Sequence, residues 1–447
     1  MDLKSNMQKM HIANAERPIT FSSLKMMMNN TYISHLKKYI HWYLLGFMFL
    51  GSWVLALHNI PLYHYKHGFD GGGHVDYLNY IVLERKLPPA NYGWETHQSP
   101  LYYFIGSFLM SIFGTWKAAQ YINIVILWVL IGVSYIGLRK VFKKKDQAIV
   151  GILSLAALPM LNIFPVMVTN ELMNAMWSIA TLVSLIFLLK SSGEREYLKY
   201  SSLVTLFFIL GFWTKVSIIM IAPMIAGVYL FKFIKSDVSR MRQIIVGVTM
   251  IITVFVACYP VFARASSSQG PSNLTMVASG PSASHPADFY LRLDWIPKLD
   301  MYNTQYYSML GGAYNSFFND GHNVLTPFIA FHKKAFVLWI LGFFLFPLSL
   351  FGTLRLIKKD KLYGIFAGGL GLLMFGVFVY YVSRSGHYSA VRLTYETPIA
   401  FAYAVGLASA WRIDRLRYLI YGLLFIQFTV MVSFYWILPW WNVTKGY

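Results

Sequence analysis

The chain has 447 residues, 57% hydrophobic, 17% aromatic and only 13% charged, with a net charge of +20. Soluble domains carry about a quarter charged residues, so this composition, gathered into long apolar runs, excludes an ordinary soluble fold and predicts an all-α polytopic membrane protein. Lys and Arg stand in short clusters between those runs, which is the positive-inside pattern and excludes the basic surface of a nucleic-acid binder.

Residues 1–38 are polar, contain no apolar signal region and read as a cytoplasmic tail. The transmembrane domain takes up 39–447. Its first apolar run, Tyr39 to Ile60, follows Lys37 and Lys38, so residue 61 should emerge outside. A large first outer loop follows, 61–117, with juxtamembrane helices. It holds Asp70, Asp76, Glu84 and Glu95 in a chain with only 18 acidic residues. His74 and His97 lie in the same stretch. The apolar core of Pro100 to Gly114 is too short to span and should lie at the interface or re-enter.

The run Ala118 to Leu138 then descends to the basic cluster RKVFKKK. Ala148 to Phe164 rises to an outer turn at VTNE, and Leu172 to Leu189 returns to KSSGEREYLK. Leu203 to Trp213 and Val216 to Leu230 form the next pair, ending at KFIKSDVSRMR. Ile244 to Phe262 rises to a second long outer loop, 264–334. Ala335 to Leu354, Phe366 to Val382, Ile399 to Ala410 and Leu419 to Leu438 complete about eleven spans, with every basic cluster inside. The second loop begins Ser/Gly/Pro-rich and continues aromatic-rich. Cys258 is the only cysteine, so neither an intrachain disulfide nor a Cys-based metal site can form. No internal repeat is visible.

The residue types at the outer ends point to chemistry. Asp70 precedes three glycines at a helix start, where a carboxylate can accept a proton; an N-cap serves equally well on spacing alone. His74 and Asp76 could join Asp70 around a metal, although a local hydrogen-bond network is the simpler arrangement. Asn170 and Glu171 open a span at the outer face, where a Glu is also favoured by the helix dipole. Lys215 interrupts two apolar runs. A lysine at that depth is costly and usually functional, with snorkelling as the alternative. Arg392 lies in an outer segment, where an exposed loop arginine is the ordinary arrangement. His387 and Tyr395 flank it.

Four stretches together resemble the GT-C glycosyltransferases, in the branch of the protein O-mannosyltransferases and aminoarabinose transferases. They are Asp70 with GGGHVDYLNYI and the following WETHQSPLYY, then Asn170-Glu171, GFWTKVSIIMIAP, and HYSAVRLTYETP. The family has Glu after the catalytic Asp where Gly71 stands here, and a second proline where this chain has Gln98-Ser99. The resemblance implies a mannosyltransferase-like enzyme that takes a sugar from a polyprenyl-phosphate donor lipid. The acceptor would be a hydroxyl of a glycan, glycolipid or protein on the non-cytoplasmic side. It implies a single inverting displacement with Asp70 as base and Glu171 as a second catalytic acid. His74, Asp76, Glu95, His97 and Asn170 would orient sugar or acceptor. Lys215 and Arg392, with His387 and Tyr395, would hold the phosphate. The leaving phosphate is already anionic, so no cofactor is required, although a divalent metal is compatible.

Sidedness and short loops favour a bacterial inner membrane with the site facing the periplasm. An ER membrane facing the lumen is the alternative, where the sequons at Asn273 and Asn442 would matter. Three competitors share the spans: a transporter or lipid flippase, a non-catalytic GT-C-like subunit, and an O-antigen ligase or polymerase. A transporter would place its polar residues near the bilayer midplane, in broken helices and paired repeats.

Overall fold

The structure, a computed structural model, describes residues 21–65, 70–235, 237–266, 285–293, 307–319, 329–384 and 391–436. Every regular element among them is helical. The chain divides into two compact units, Met1–Leu44 and Leu45–Tyr447. The described part of the first is the start of a long helix, α1 (Phe21–Leu62).

In the second unit, α2 (Gly71–Glu84) and α3 (Leu101–Phe113) belong to the first outer loop. At about 1.5 Å per residue, the thirteen residues of α3 cover about 20 Å, short of a hydrocarbon core about 30 Å thick. Ser107 on α3 donates to the Leu78 carbonyl of α2 at 3.1 Å, which ties the pair together. Next come α4 (Ala118–Val141), α5 (Lys145–Ala156) and the short α6 (Pro159–Asn162). Pro159 cannot continue the α5 ladder, and the chain bends by 62° at this break. Helix α7 (Glu171–Leu189) is the most enclosed of the long apolar helices among the described residues and packs between α4 and α8 (Gly193–Thr214). A 3-10 turn, Val216–Ile221, leads into α9 (Ala222–Lys235). Then follow α10 (Arg240–Ser266), α11 (Ala287–Leu291), α12 (Met309–Phe318) and α13 (Ile329–Lys359). Helix α14 (Lys361–Arg384), a 3-10 turn Leu393–Glu396, α15 (Ile399–Ala410) and α16 (Asp414–Tyr435) complete it.

Among the described residues, eight helices are long and apolar enough to cross a membrane, or nine if the bent segment 145–166 is one span. The sequence reading expects about eleven. The other two are α8, whose first turns carry the polar stretch GEREYLKYSS, and α15, which has only 12 residues. Every residue of α15 after Ile399 is nonetheless buried. It packs so closely on α13 that a Cβ on Gly352 would meet the Gly406 carbonyl at 1.9 Å. Small residues at such a crossing let apolar helices associate by close contact.

The basic turns gather at one end of the bundle. Lys190 in the α7–α8 turn pairs with Asp360 in the α13–α14 turn at 3.9 Å. Asp237 in the α9–α10 turn accepts from the Gly193 amide at 3.0 Å, and Arg242 pairs with Glu194. Helix alternation places the first outer loop, the start of α7, the end of α8 and the end of α10 at the other end.

Candidate active site

Asp70 precedes α2 and sits in the left-handed region, with φ 65°. A non-glycine residue there is uncommon, and Asp is one of the few that tolerate it. Its side chain makes no capping hydrogen bond; the exposed carboxylate accepts one from Trp94 Nε1 at 2.9 Å. The glycines after it have separate reasons. A Cβ on Gly71 would strike the Tyr65 carbonyl at 2.0 Å, and one on Gly73 would strike Glu95 Cγ at 2.8 Å. Glu95 is thereby seated against the first turn of α2, beside Asp70.

Glu95 is 5% exposed. Burial and the neighbouring Asp70 charge push its pKa from 4.5 to about 8, against the pull of Lys215. Two carboxyl groups thus sit side by side, one exposed and one held neutral at pH 7 by its surroundings. His74, one turn into α2, is also buried, and Nδ1 shares a hydrogen bond of 2.7 Å with the Tyr103 hydroxyl on α3. Burial, with Lys215 and His97 nearby, pulls its pKa from 6.5 down to about 3. His74 is therefore a neutral imidazole at any ordinary pH.

Glu171 is the first residue of α7, and Lys215 follows the last residue of α8. The two form an ion pair with side chains only 9% and 17% exposed. The neighbouring asparagines hold this junction: Asn170 donates to the Thr214 carbonyl and Asn174 to the Ser217 hydroxyl, both at 3.1 Å. Asn170 thus positions the pair. The charge of Lys215 reaches His74, Glu95, Glu396 and Tyr381, so residues from α2, its following loop, α7, α14 and the 3-10 turn before α15 surround one cation.

Other predicted residues fall differently. Asp76 is exposed, about 200° around the helix from His74, and does not join the cluster. Arg392 is fully buried, so it is not an exposed loop arginine. Tyr395 lies in the 3-10 turn Leu393–Glu396; its side chain, and all of His387, Asn273 and Asn442, lie outside the described residues. Among the described residues no group of three or more His, Cys, Asp or Glu side chains is arranged to hold a metal ion.

Two residues escaped the sequence reading. Glu396 is completely buried and lies within electrostatic reach of the Glu171–Lys215 pair. It had the signal used for Asp70, an acid beside an apolar run in an acid-poor chain. Arg264, at the end of α10, donates to the carbonyls of Gln98 at 3.0 Å and Pro88 at 2.9 Å, and to that of Thr96. Its guanidinium also stands over the Tyr77 ring. It fastens the loop that carries Glu95. A cleft of 540 Å³ lined by Tyr80, Lys86, Pro88 and Arg264 runs along that loop, apart from the titratable cluster.

No protein-family model matches the chain, and no curated protein matches it in sequence. Solved structures do match in fold. ArnT from Cupriavidus metallidurans in the apo state has a TM-score of 0.56 at 14% identity, covering 85% of this chain and 61% of that one. The same protein bound to undecaprenyl phosphate gives 0.53 at 15% identity, with the same coverage. The Archaeoglobus fulgidus oligosaccharyltransferase, tethered with an acceptor peptide containing the NVT sequon, gives 0.55 at 15%, covering 90% of this chain and 56% of that one. The chain therefore spans about three-fifths of the length of these proteins. Both are GT-C glycosyltransferases, and this chain has their polytopic membrane fold.

Proposed function

We propose that this GT-C-fold protein is a glycosyltransferase that moves a sugar from a polyprenyl-phosphate donor to an acceptor hydroxyl, with inversion. The reaction would take place on the non-cytoplasmic side, and a bacterial inner membrane facing the periplasm fits the loop lengths best. The observation that carries the reading is the convergence of Asp70, His74, Glu95, Glu171 and Lys215. They come from distant parts of the chain and meet at the end of the bundle opposite the basic turns. Basic turns mark the cytoplasmic side. Sugar nucleotides are cytoplasmic, so an enzyme acting on the other side needs a lipid-carried donor. The likeness to ArnT, whose structure was solved with undecaprenyl phosphate, supports the same class of lipid here.

In the mechanism, Asp70 takes the proton of the acceptor hydroxyl as its oxygen attacks the anomeric carbon. The bond from that carbon to the phosphate oxygen breaks, and polyprenyl phosphate leaves with the electron pair. Trp94 fixes the Asp70 carboxylate. Glu95, neutral in its buried seat, can donate to the sugar or acceptor, and His74 and His97 border the same space. Lys215 stabilises charge developing on the leaving oxygen, and Arg392 is the second candidate cation for the phosphate. Glu171 holds Lys215 in place. The pair lies at helix ends, Glu171 opening its span and Lys215 closing α8, where a transporter's binding residues would sit midway along broken helices.

The test is transfer in proteoliposomes, with undecaprenyl-phosphoryl sugars presented on the face bearing Asp70. Release of undecaprenyl phosphate coupled to acceptor glycosylation is the expected result. A protein that moves these lipids between leaflets without cleaving them would be a flippase.

A further inference from the structure

We propose that Glu396, together with Glu171, binds a hydroxyl of the transferred sugar. The inference rests on the donor-lipid reading above and extends it to a residue pair. Glu396 closes the 3-10 turn ahead of α15, and its side chain is 0% exposed. Among the described residues neither of its carboxyl oxygens has a hydrogen-bond partner on another residue, its own backbone amide alone standing close, and Glu171 Oε2 lacks a partner too. Glu171 Oε1 is taken by Lys215. Leaving a buried polar group unsatisfied costs about 1–3 kcal/mol, and native structures keep few without a reason. Here three carboxyl oxygens without a partner on another described residue belong to two residues within electrostatic reach of each other at the candidate site.

The charged and titratable groups that act on Glu396 come from several elements. Glu171 stands at the start of α7 and Lys215 at the end of α8. Tyr381 on α14 is within electrostatic reach of all three. Arg392 is buried at the head of the same turn. Burial and the Glu171 charge raise the pKa of Glu396 well above 4.5, with Lys215 opposing. Glu396 thus presents one O–H donor and one carbonyl acceptor, while Glu171 Oε2 presents an acceptor alone.

That pattern selects the ligand. A phosphate oxygen only accepts hydrogen bonds, and beside the Glu171 carboxylate it would meet negative charge and facing lone pairs. A metal ion would need a third ligand, and no such group exists among the described residues. A sugar hydroxyl both donates and accepts. It can donate to Glu171 Oε2 and accept from Glu396, satisfying both residues at once. The phosphate would then lie toward the ammonium of Lys215, with the sugar ring between the cation and the two carboxyls.

The experiment measures binding of undecaprenyl phosphate, and of a set of its phosphoryl-hexoses and phosphoryl-pentoses, to the full chain in nanodiscs. The parent should hold at least one glycosylated lipid more tightly than the bare one. Glu396→Leu should lose that preference by about tenfold, the worth of one good hydrogen bond, with unchanged affinity for the bare lipid. Glu396→Gln keeps an N–H donor and a carbonyl acceptor at the same place and should retain the preference. Glu396→Met replaces the Leu variant if thermal unfolding shows the latter misfolded. An apolar variant that keeps the preference, or that loses bare and glycosylated lipid equally, overturns the assignment. So does a Gln variant that folds like the parent yet loses the preference, and so does a parent that binds every lipid alike. A parent that binds neither kind of lipid overturns the donor reading itself, and the Glu396 assignment falls with it.

Discussion

The two ends of the bundle hold their charges in opposite ways. At the basic end, Lys190 and Asp360 are paired at 3.9 Å with side chains 41% and 38% exposed. At the acidic end, Glu171 and Lys215 are paired with hardly any exposure, beside buried Glu95 and Glu396. Exposed pairs contribute about 0–1 kcal/mol, so the basic turns serve orientation and solubility more than stability. Buried charges carry a desolvation penalty that their pairing roughly offsets. A cluster of them is poor value for stability alone, and chemistry is the better reason for keeping it.

The sharpest way to break this contrast is to remove one member of the buried pair. Lys215→Met strands Glu171, and the expected loss is about 3–5 kcal/mol of stability, read as a large drop in the thermal midpoint in detergent. Replacing both residues, as Glu171→Leu with Lys215→Met, should recover most of that stability while leaving the protein inactive. A double variant that is both stable and active would remove the pair from the mechanism.

Glu95 sharpens the contrast through pH. In the fold it holds a proton up to about 8, whereas its ordinary pKa is 4.5. The folded state therefore binds more protons than the unfolded chain between these values, and stability from this group declines as pH rises across that window. Glu95→Gln should flatten the dependence of the thermal midpoint on pH between about 4.5 and 8. An unchanged slope would mean that Glu95 is ionised in its seat.

The smallest effect belongs to the other end. Lys190→Ala or Asp360→Ala should shift stability by less than about 1 kcal/mol, and transfer activity should be unchanged. A large loss there would erase the distinction between the two ends.

Much of this plan is legible in the sequence, for physical reasons. The spans follow from apolar length and from where Lys and Arg gather. Asp70 stands out as an acid beside a glycine run, and the structure supplies two of the reasons for those glycines, the Tyr65 carbonyl and the Glu95 side chain. Lys215 stands out because a cation between apolar runs is costly. Its pairing with Glu171 does not, since the two are 44 residues apart and only the packing of α7 on α8 brings them together. Asp76 is close to His74 in sequence only, because a spacing of two turns a helix side chain by about 200°. Arg264 was hidden because its contacts are to backbone carbonyls, which carry no residue signature. Glu396 shares its short segment with Arg392, and its anomaly, a carboxyl with no exposure, is visible only in the fold.

The central claim is that Asp70 removes the acceptor proton. Asn keeps the size of Asp and can still accept from Trp94, but it cannot take up a proton at neutral pH. Turnover of Asp70→Asn, measured in proteoliposomes with a glycosylated undecaprenyl phosphate and compared with its affinity for that lipid, tests the claim directly. A general base predicts unchanged donor affinity and turnover lower by at least about a hundredfold, with exposed Asp76→Asn near the parental rate. Near-parental turnover in Asp70→Asn would contradict the account.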